Sequence, residues 1–210
     1  VGEVTLTIKY NDETNTYSPY EFTETITIQK MPVTLSIDDV SAYADKSTDI
    51  KATVSHDSLS ITSGSVEFFV DDVSIGSSNV GADSTARITY AFPLSKQYTI
   101  KAVYTGDSYI ADDATRVVQV NKNHAVINVE TPINGFYNEE VLCTISVECD
   151  GELVKEGTIW IIENQVELNR TTINSDGSIN IGCTLSGDQV HFLEVYYDGE
   201  KYEATLNNIW

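Results

Sequence analysis

The chain is short of positive charge. It has 12 lysines and arginines against 32 aspartates and glutamates in 210 residues, for a net charge of −20. That shortage argues against a surface that wraps nucleic acid, because phosphate neutralisation needs clustered Lys and Arg. It argues equally against docking on an anionic lipid face. There is no run of about 18 apolar residues, so no membrane-inserting helix is expected. Motifs that carry chemistry are missing as well: no HExxH pair, no Gly-x-Ser-x-Gly elbow and no phosphate-cradling glycine loop. The three cysteines are Cys143, Cys149 and Cys183. None stands in CxxC spacing, which argues against zinc. No EF-hand loop is present. Stretches with a sustained period near 3.6 are also absent, and with them the amphipathic helix.

What remains is β-forming. Thr, Ser, Val and Ile dominate together with 12 tyrosines, and apolar residues make up 41%. These residue types suit a pleated, half-buried surface. Short alternating runs recur at Val4–Ile8, Glu24–Ile28, Val33–Ile37, Asp49–Val54, Ser65–Val70, Ala86–Tyr90, Tyr98–Tyr104 and Val117–Val120. They continue at Val126–Val129, Val141–Val147, Thr158–Ile162, Ser178–Leu185 and His191–Tyr197. Short strands separated by Asn-Gly, Asp-Gly and Ser-Gly pairs predict an all-β sandwich or barrel.

Laid on itself at an offset of 93, the sequence repeats. Ile50, Ala52 and Val54 meet Cys143, Ile145 and Val147, and Gly64-Ser-Val-Glu-Phe-Phe meets Gly157-Thr-Ile-Trp-Ile-Ile. Tyr98, Ile100, Ala102 and Tyr104 meet His191, Leu193, Val195 and Tyr197. Val33–Ile37 meets Val126–Glu130, and no gap is needed from residue 33 to residue 202. A partial third copy stands at the start. Val4, Leu6, Ile8 and Tyr10, then Asp12, Tyr17 and Thr25–Lys30, parallel Tyr98 to Lys122 with two extra loop residues. The expected division is therefore 1–30, the last strand pair of a preceding repeat or else an N-terminal extension; 31–122, a first domain; and 123–210, a second domain whose last strand is incomplete. The junctions are only a few residues long, which suits semi-rigid rods and a slice of a longer array.

The residues Gly64-x-Val-x-Phe, Ile75-Gly76, Ala86, Leu94 and Tyr98-x-Ile-x-Ala-x-Tyr-x-Gly-Asp-x-x-Tyr109 resemble the bacterial immunoglobulin-like repeat of large surface proteins. They are especially similar to the tandem modules of adhesin-like proteins from methanogenic archaea. The second copy departs from the pattern at Glu200, in place of Asp107, and at His191, in place of Tyr98. The resemblance implies tandem immunoglobulin-like β-sandwich domains of about seven strands each, with Greek-key connections, exposed on a cell surface. It implies no catalytic residues, no cofactor and no fixed ligand.

The residues singled out have structural readings first. Tyr104, Gly106, Asp107 and Tyr109, with Tyr197, Gly199 and Tyr202 in the second copy, are expected to build strand corners, where a tyrosine bonds back to the backbone. In the implied fold, Cys143 and Cys183 fall on neighbouring strands B and E. Buried free thiols and a disulfide are both open there. His191 reads as a core or strand-end residue, not a ligand. The acidic pairs Asp38-Asp39, Asp71-Asp72, Asp112-Asp113 and Glu139-Glu140 read as a solvated surface rather than a calcium site. Charge is uneven, at −3, −5 and −12 across the three segments. Lys51 and Lys101 fall on outward registers, unsuited to an internal Lys–Asn bond. Asn169-Arg-Thr171 is a glycosylation sequon. Trp160, Tyr137 and Tyr196 are candidates for a carbohydrate platform, although they do not obviously share a face.

The function expected is mechanical display or adhesion at a cell surface, without catalysis. The partners would be neighbouring repeats and, beyond them, another cell surface, a glycan or an identical subunit. One rival is a filament subunit assembled by donor-strand exchange. Another is a carbohydrate-binding accessory module.

Overall fold

The computed structural model describes residues 1–11, 13–14, 16–57, 59–130, 136, 138–187, 190–204 and 207–209. Asp12, Tyr137 and Trp210 lie outside them. Every regular element among the described residues is a strand. No helix is long and apolar enough to cross a membrane. The chain divides into two compact units. One comprises Val1–Val40, Asp49–Tyr90 and Tyr98–Val117, and the other Ser41–Thr48, Ala91–Gln97 and Val118–Trp210.

The chain opens with a hairpin, β1 (Gly2–Tyr10) and β2 (Tyr20–Ile28), in antiparallel register from Gly2↔Ile28 to Tyr10↔Tyr20. Successive side chains alternate between its faces. One face carries Glu3, Thr5, Thr7 and Lys9 opposite Thr27, Thr25, Thr23 and Glu21, with a Lys9–Glu21 ion pair at 3.0 Å. The other carries Val4, Leu6, Ile8 and Tyr10 beside Tyr20, Phe22, Ile26 and Ile28, with Glu24 opposite Leu6. These eight apolar side chains are 43–64% exposed.

Next come β3 (Met31–Pro32), β4 (Thr34–Ile37), β5 (Ala42–Tyr43), β6 (Ser47–His56), β7 (Leu59–Ser60), β8 (Ser65–Val70) and β9 (Val73–Asn79). They are followed by β10 (Thr85–Ala91), β11 (Gln97–Thr105), β12 (Tyr109–Ile110) and β13 (Ala114–Asn121). One sheet runs β10-β6-β4 with β7 on β6, and another runs β5-β13-β11-β8-β9. A short parallel pair joins β12 to β3. Strict alternation on β6 and β11 turns Ile50, Ala52, Val54, Tyr98, Ile100, Ala102 and Tyr104 inward, where all are buried. With Ile61, Val66 and Phe68 they fill the space between sheets. Each large side chain so buried contributes about 1.5–3 kcal/mol of transfer free energy. This is the two-sheet packing of a sandwich.

The remaining strands are β14 (Asn123–Val129), β15 (Glu140–Cys143), β16 (Ile145–Cys149), β17 (Glu152–Leu153), β18 (Thr158–Glu163) and β19 (Val166–Thr172). After them come β20 (Ile181–Thr184), β21 (Leu193–Asp198), β22 (Tyr202–Ala204) and β23 (Asn207–Ile209). A sheet ordered β17-β16-β14-β22-β21-β18-β19, with β23 on β21, stands with the pair β15-β20. Their core gathers Ala125, Ile127, Cys143, Ile145, Val147, Val154, Ile159, Ile161, Ile173, Ile181, Cys183, Leu193, Val195 and Tyr197.

The repeat extends to fine geometry. The β8–β9 hairpin shifts register between Phe68 and Phe69, and β18–β19 does so between Ile161 and Ile162, 93 residues on. The turns are Asp71-Asp72 (φ 47° and 63°) and Asn164-Gln165 (φ 47° and 67°). Positive φ at both central residues is the type I′ arrangement that matches strand twist. The first acidic pair is thus part of a hairpin turn, where Asp71 accepts a hydrogen bond from the Thr99 amide at 2.9 Å.

Two details differ from the sequence expectation. Leu35 stands opposite Val54, but Ile127, not Asn128, stands opposite Val147. The first strand of the second copy is therefore offset by 92, and the alignment needs a one-residue gap. Side chains alternate with period 2, so that slip turns Ala125 and Ile127 inward and leaves Val126 exposed. The run Val141–Val147 is broken at Thr144 into β15 and β16, which join different sheets.

Candidate functional site

The glycine-flanked tyrosines are placed identically in the two copies. The Tyr104 hydroxyl donates to the Ser63 carbonyl at 2.9 Å, and Tyr197 donates to the Glu156 carbonyl at 3.1 Å. Each ring fits because glycines surround it. A Cβ on Gly64 would come within 2.5 Å of the Tyr104 hydroxyl, and one on Gly157 within 2.6 Å of the Tyr197 ring. A Cβ on Gly106 or Gly199 would also overlap the phenol. Gly64 and Gly157 have φ of +92° and +98°, open to glycine without strain. Burial pushes both phenols above their ordinary pKa. Asp107 is exposed. Tyr109 begins β12, paired with Met31, and Tyr202 begins β22, paired with Asn123. Glu156 carries no signal in the sequence, yet it belongs to this corner. Its carboxylate accepts from the Glu200 and Lys201 amides, both at 3.0 Å, and fastens the loop around Gly199. The first copy has Ser63 there and uses only its carbonyl, so no repeated pattern marks the position.

Trp160 and Tyr196 do share a face. They are directly opposite on β18 and β21, with ring centroids 5.7 Å apart and planes 8° from parallel. On the other side of Trp160, β19 brings the Arg170 guanidinium to 4.6 Å from the ring centroid. Arg170 is itself held by Glu167 at 2.6 Å. Both faces of the indole are therefore occupied, one by stacking and one by cation–π contact. A sugar ring stacks on a free aromatic face, and this indole offers edges instead. The sequon asparagine is likewise engaged: Asn169 Nδ2 donates to the Gly182 carbonyl at 2.7 Å, and glycan attachment there would break that bond.

A polar cluster sits at one end of the second core. His191 is 12% exposed at its side chain, and its Nδ1 lies 2.6 Å from Glu163 Oε1, itself only 19% exposed. His191 Nε2 is sealed from solvent without a hydrogen-bond partner. Cys183 is close enough to feel both groups, but its strongest neighbour is Cys143. The Cys143 thiol donates to the Val141 carbonyl at 4.0 Å, and the two neighbouring thiols shift each other, Cys143 upward and Cys183 downward from the ordinary thiol pKa. Cys149 is only partly buried, beside Asp150. The histidine is legible in the sequence as a core residue. Its carboxylate partner, at the end of another strand, is not.

Similarity to known structures is a matter of fold. A two-domain fibronectin type III segment of chicken tenascin matches with a TM-score of 0.50 at 9% identity, over 82% of this chain and 97% of that one. A protein described as membrane anchored, from Corynebacterium diphtheriae, matches with a TM-score of 0.37 at 16% identity, over 93% of this chain and 62% of that one. The Yersinia pseudotuberculosis adhesin InvE matches with a TM-score of 0.40 at 12% identity, over 84% of this chain and 56% of that one. No protein-family model matches the chain, and no curated protein matches it. The architecture is the immunoglobulin-like β-sandwich.

The basic side chains are largely engaged by carboxylates, while most of the 32 acidic residues have no cation to pair with. Asp38 meets Lys51 at 2.5 Å and accepts from Thr53 at 3.1 Å, and Arg116 pairs with Asp39. Lys101 lies 4.7 Å from the Phe69 centroid. Within the second unit, Lys201 meets Asp45 at 2.5 Å, Lys46 meets Asp150 at 2.7 Å and Lys122 meets Asp198 at 2.8 Å. There Asn123, a buried polar residue, donates to the Ala44 carbonyl at 2.8 Å. A cleft of about 710 Å³ in this unit is lined by Lys96, Lys122, Glu156, Asp198 and Glu200, so much of its charge is already paired. Among the described residues, no three His, Cys, Asp or Glu side chains converge as metal ligands.

Proposed function

We propose that the chain is a non-catalytic extracellular module, a segment of a repetitive adhesin-like surface protein that projects from the cell or mediates its surface contacts. Neighbouring repeats of the same protein are its first partners, and another cell surface or a glycan lies beyond them. The observation that carries this reading is the repetition. The same tyrosine corner, the same register shift and the same type I′ turn recur 93 residues apart. The side chains at the recurring positions serve packing. The net charge of −20 keeps such a surface hydrated and soluble. The test is labelling of intact cells with an antibody raised against the purified chain. The reading expects signal on unpermeabilised cells and its loss after protease shaving. Signal only after permeabilisation would refute it.

A second reading, a filament subunit assembled by donor-strand exchange, is favoured by one observation: on one face of β1–β2, interrupted by Glu24, eight apolar side chains are 43–64% exposed. Such a face seeks a facing sheet. Oligomers that persist on dilution in light scattering support this reading, and a monodisperse monomer removes it. The carbohydrate-module reading finds no such support, because both faces of Trp160 are occupied.

A further inference from the structure

The strands β15 and β20 are antiparallel neighbours in the register Val141↔Cys183 and Cys143↔Ile181. Cys143 and Cys183 are therefore diagonal neighbours on one face of this pair. Both point into the core, at 4% and 3% exposure, and they belong to the same packed cluster. Cys149, on β16, packs against the edge of the same cluster and is only partly buried. The corresponding positions of the first copy hold Ile50 and Tyr90, so a dithiol here is not demanded by the fold.

We propose that Cys143 and Cys183 are a cross-strand redox pair, free thiols under reducing conditions and a disulfide once a small-molecule disulfide is present. The chemistry is thiol–disulfide exchange. The Cys183 thiolate attacks one sulfur of the oxidant RSSR, forming a mixed disulfide and releasing RS⁻. The Cys143 thiolate then attacks Sγ of Cys183, closes the intrachain bond and releases the second RS⁻. The two protons lost by the protein thiols end on the two RSH molecules. The cysteines are oxidised by two electrons and RSSR is reduced by two. The same exchange runs with the two cysteines in the opposite order, because neither thiol is favoured while the strands are apart. Both sulfurs are closed off in the folded core, so the exchange runs while β15 and β20 are still open during folding.

Diagonal neighbours on an antiparallel pair have Cα atoms about 7–8 Å apart, whereas a disulfide spans about 4.4–6.8 Å. Closing the bond draws the strands together at one corner, which makes it more easily reduced than an unstrained one.

The test is refolding of the full chain in a buffer of oxidised and reduced glutathione, followed by alkylation in denaturant and peptide mapping by mass spectrometry. The expected result is a linked pair of peptides carrying Cys143 and Cys183, lighter by two hydrogens, with Cys149 alkylated. The oxidised form should melt higher than the reduced form by about 5–10 °C in the transition of the second unit. C149S should keep the link. Alkylation of all three cysteines in the refolded wild-type chain, or a link through Cys149, would overturn the proposal. Because mapping is done on the wild-type chain, the outcome does not depend on whether a core variant folds.

Discussion

A single hydroxyl closes each sandwich corner. Tyr104→Phe and Tyr197→Phe each leave a carbonyl, of Ser63 or Glu156, without its donor. A lost hydrogen bond at a part-buried site costs about 1–2 kcal/mol. Urea unfolding, read separately for the two units, should show the loss in the mutated one. Gly199→Ala should cost more than Tyr197→Phe, because the new Cβ overlaps the phenol and the ring must leave its pocket. Protonation supplies a second test. Hydrogen bonds from Thr85 and Arg87 hold the Asp83 carboxyl down at about 2, well below the usual carboxylate range. A depressed carboxylate adds stability above its unfolded pKa and loses it as pH falls through the folded one. The wild-type advantage over Asp83→Asn should therefore be present at pH 5 and fade between about pH 4 and pH 2. Unfolding midpoints of the two proteins at matched pH check this. The group is exposed, so the difference will be small.

At the scale of strands and turns, the two I′ hairpins differ in how well their sequences suit them. Gln165 sits at φ 67°, where a Cβ is unfavourable by about 1 kcal/mol. Gln165→Gly should stabilise the second unit by up to that amount, because the turn would then hold an Asn-Gly pair, the dipeptide this geometry favours. Thermal melting of the variant checks it. The same two hairpins show where sequence reading reaches its limit. Long, half-buried strands such as β6 and β11 announce themselves because every second residue is apolar. The outer strands β9 and β19 do not. Both have the burial pattern of a strand that lies mostly in solvent, with polar residues such as Ser74, Ser77, Glu167 and Arg170 on it. No hydrophobic alternation is needed where little is buried. The slip in β14 is hidden for a related reason. Ala125 and Val126 are both apolar, and only pairing with β16 decides which turns inward. The Trp160–Tyr196–Arg170 stack is invisible because it depends on which strands lie side by side, a fact of topology. The corner tyrosines are legible because their glycines are fixed in sequence close to them.

For the whole molecule, charge is the main lever. A net −20 on 210 residues opposes compaction through self-repulsion. The ion pairs that relieve it, such as Lys9–Glu21 and Arg87–Asp83, lie largely in solvent. Exposed pairs contribute little and are screened by salt. Repulsion should outweigh them, so moderate sodium chloride should raise the melting temperature of both units. A fall with added salt would mean that the pairs matter more than the excess charge.

The stacked indole also has an optical consequence. The chain has two tryptophans, Trp160 and Trp210, both in the second repeat. Trp160 is held between a phenol and a guanidinium, and its emission should change when either neighbour departs. Replacing Trp210 by Phe would leave one fluorophore for selective excitation. That chromophore would follow the melting of the C-terminal sandwich alone, while the N-terminal half of the protein stays dark.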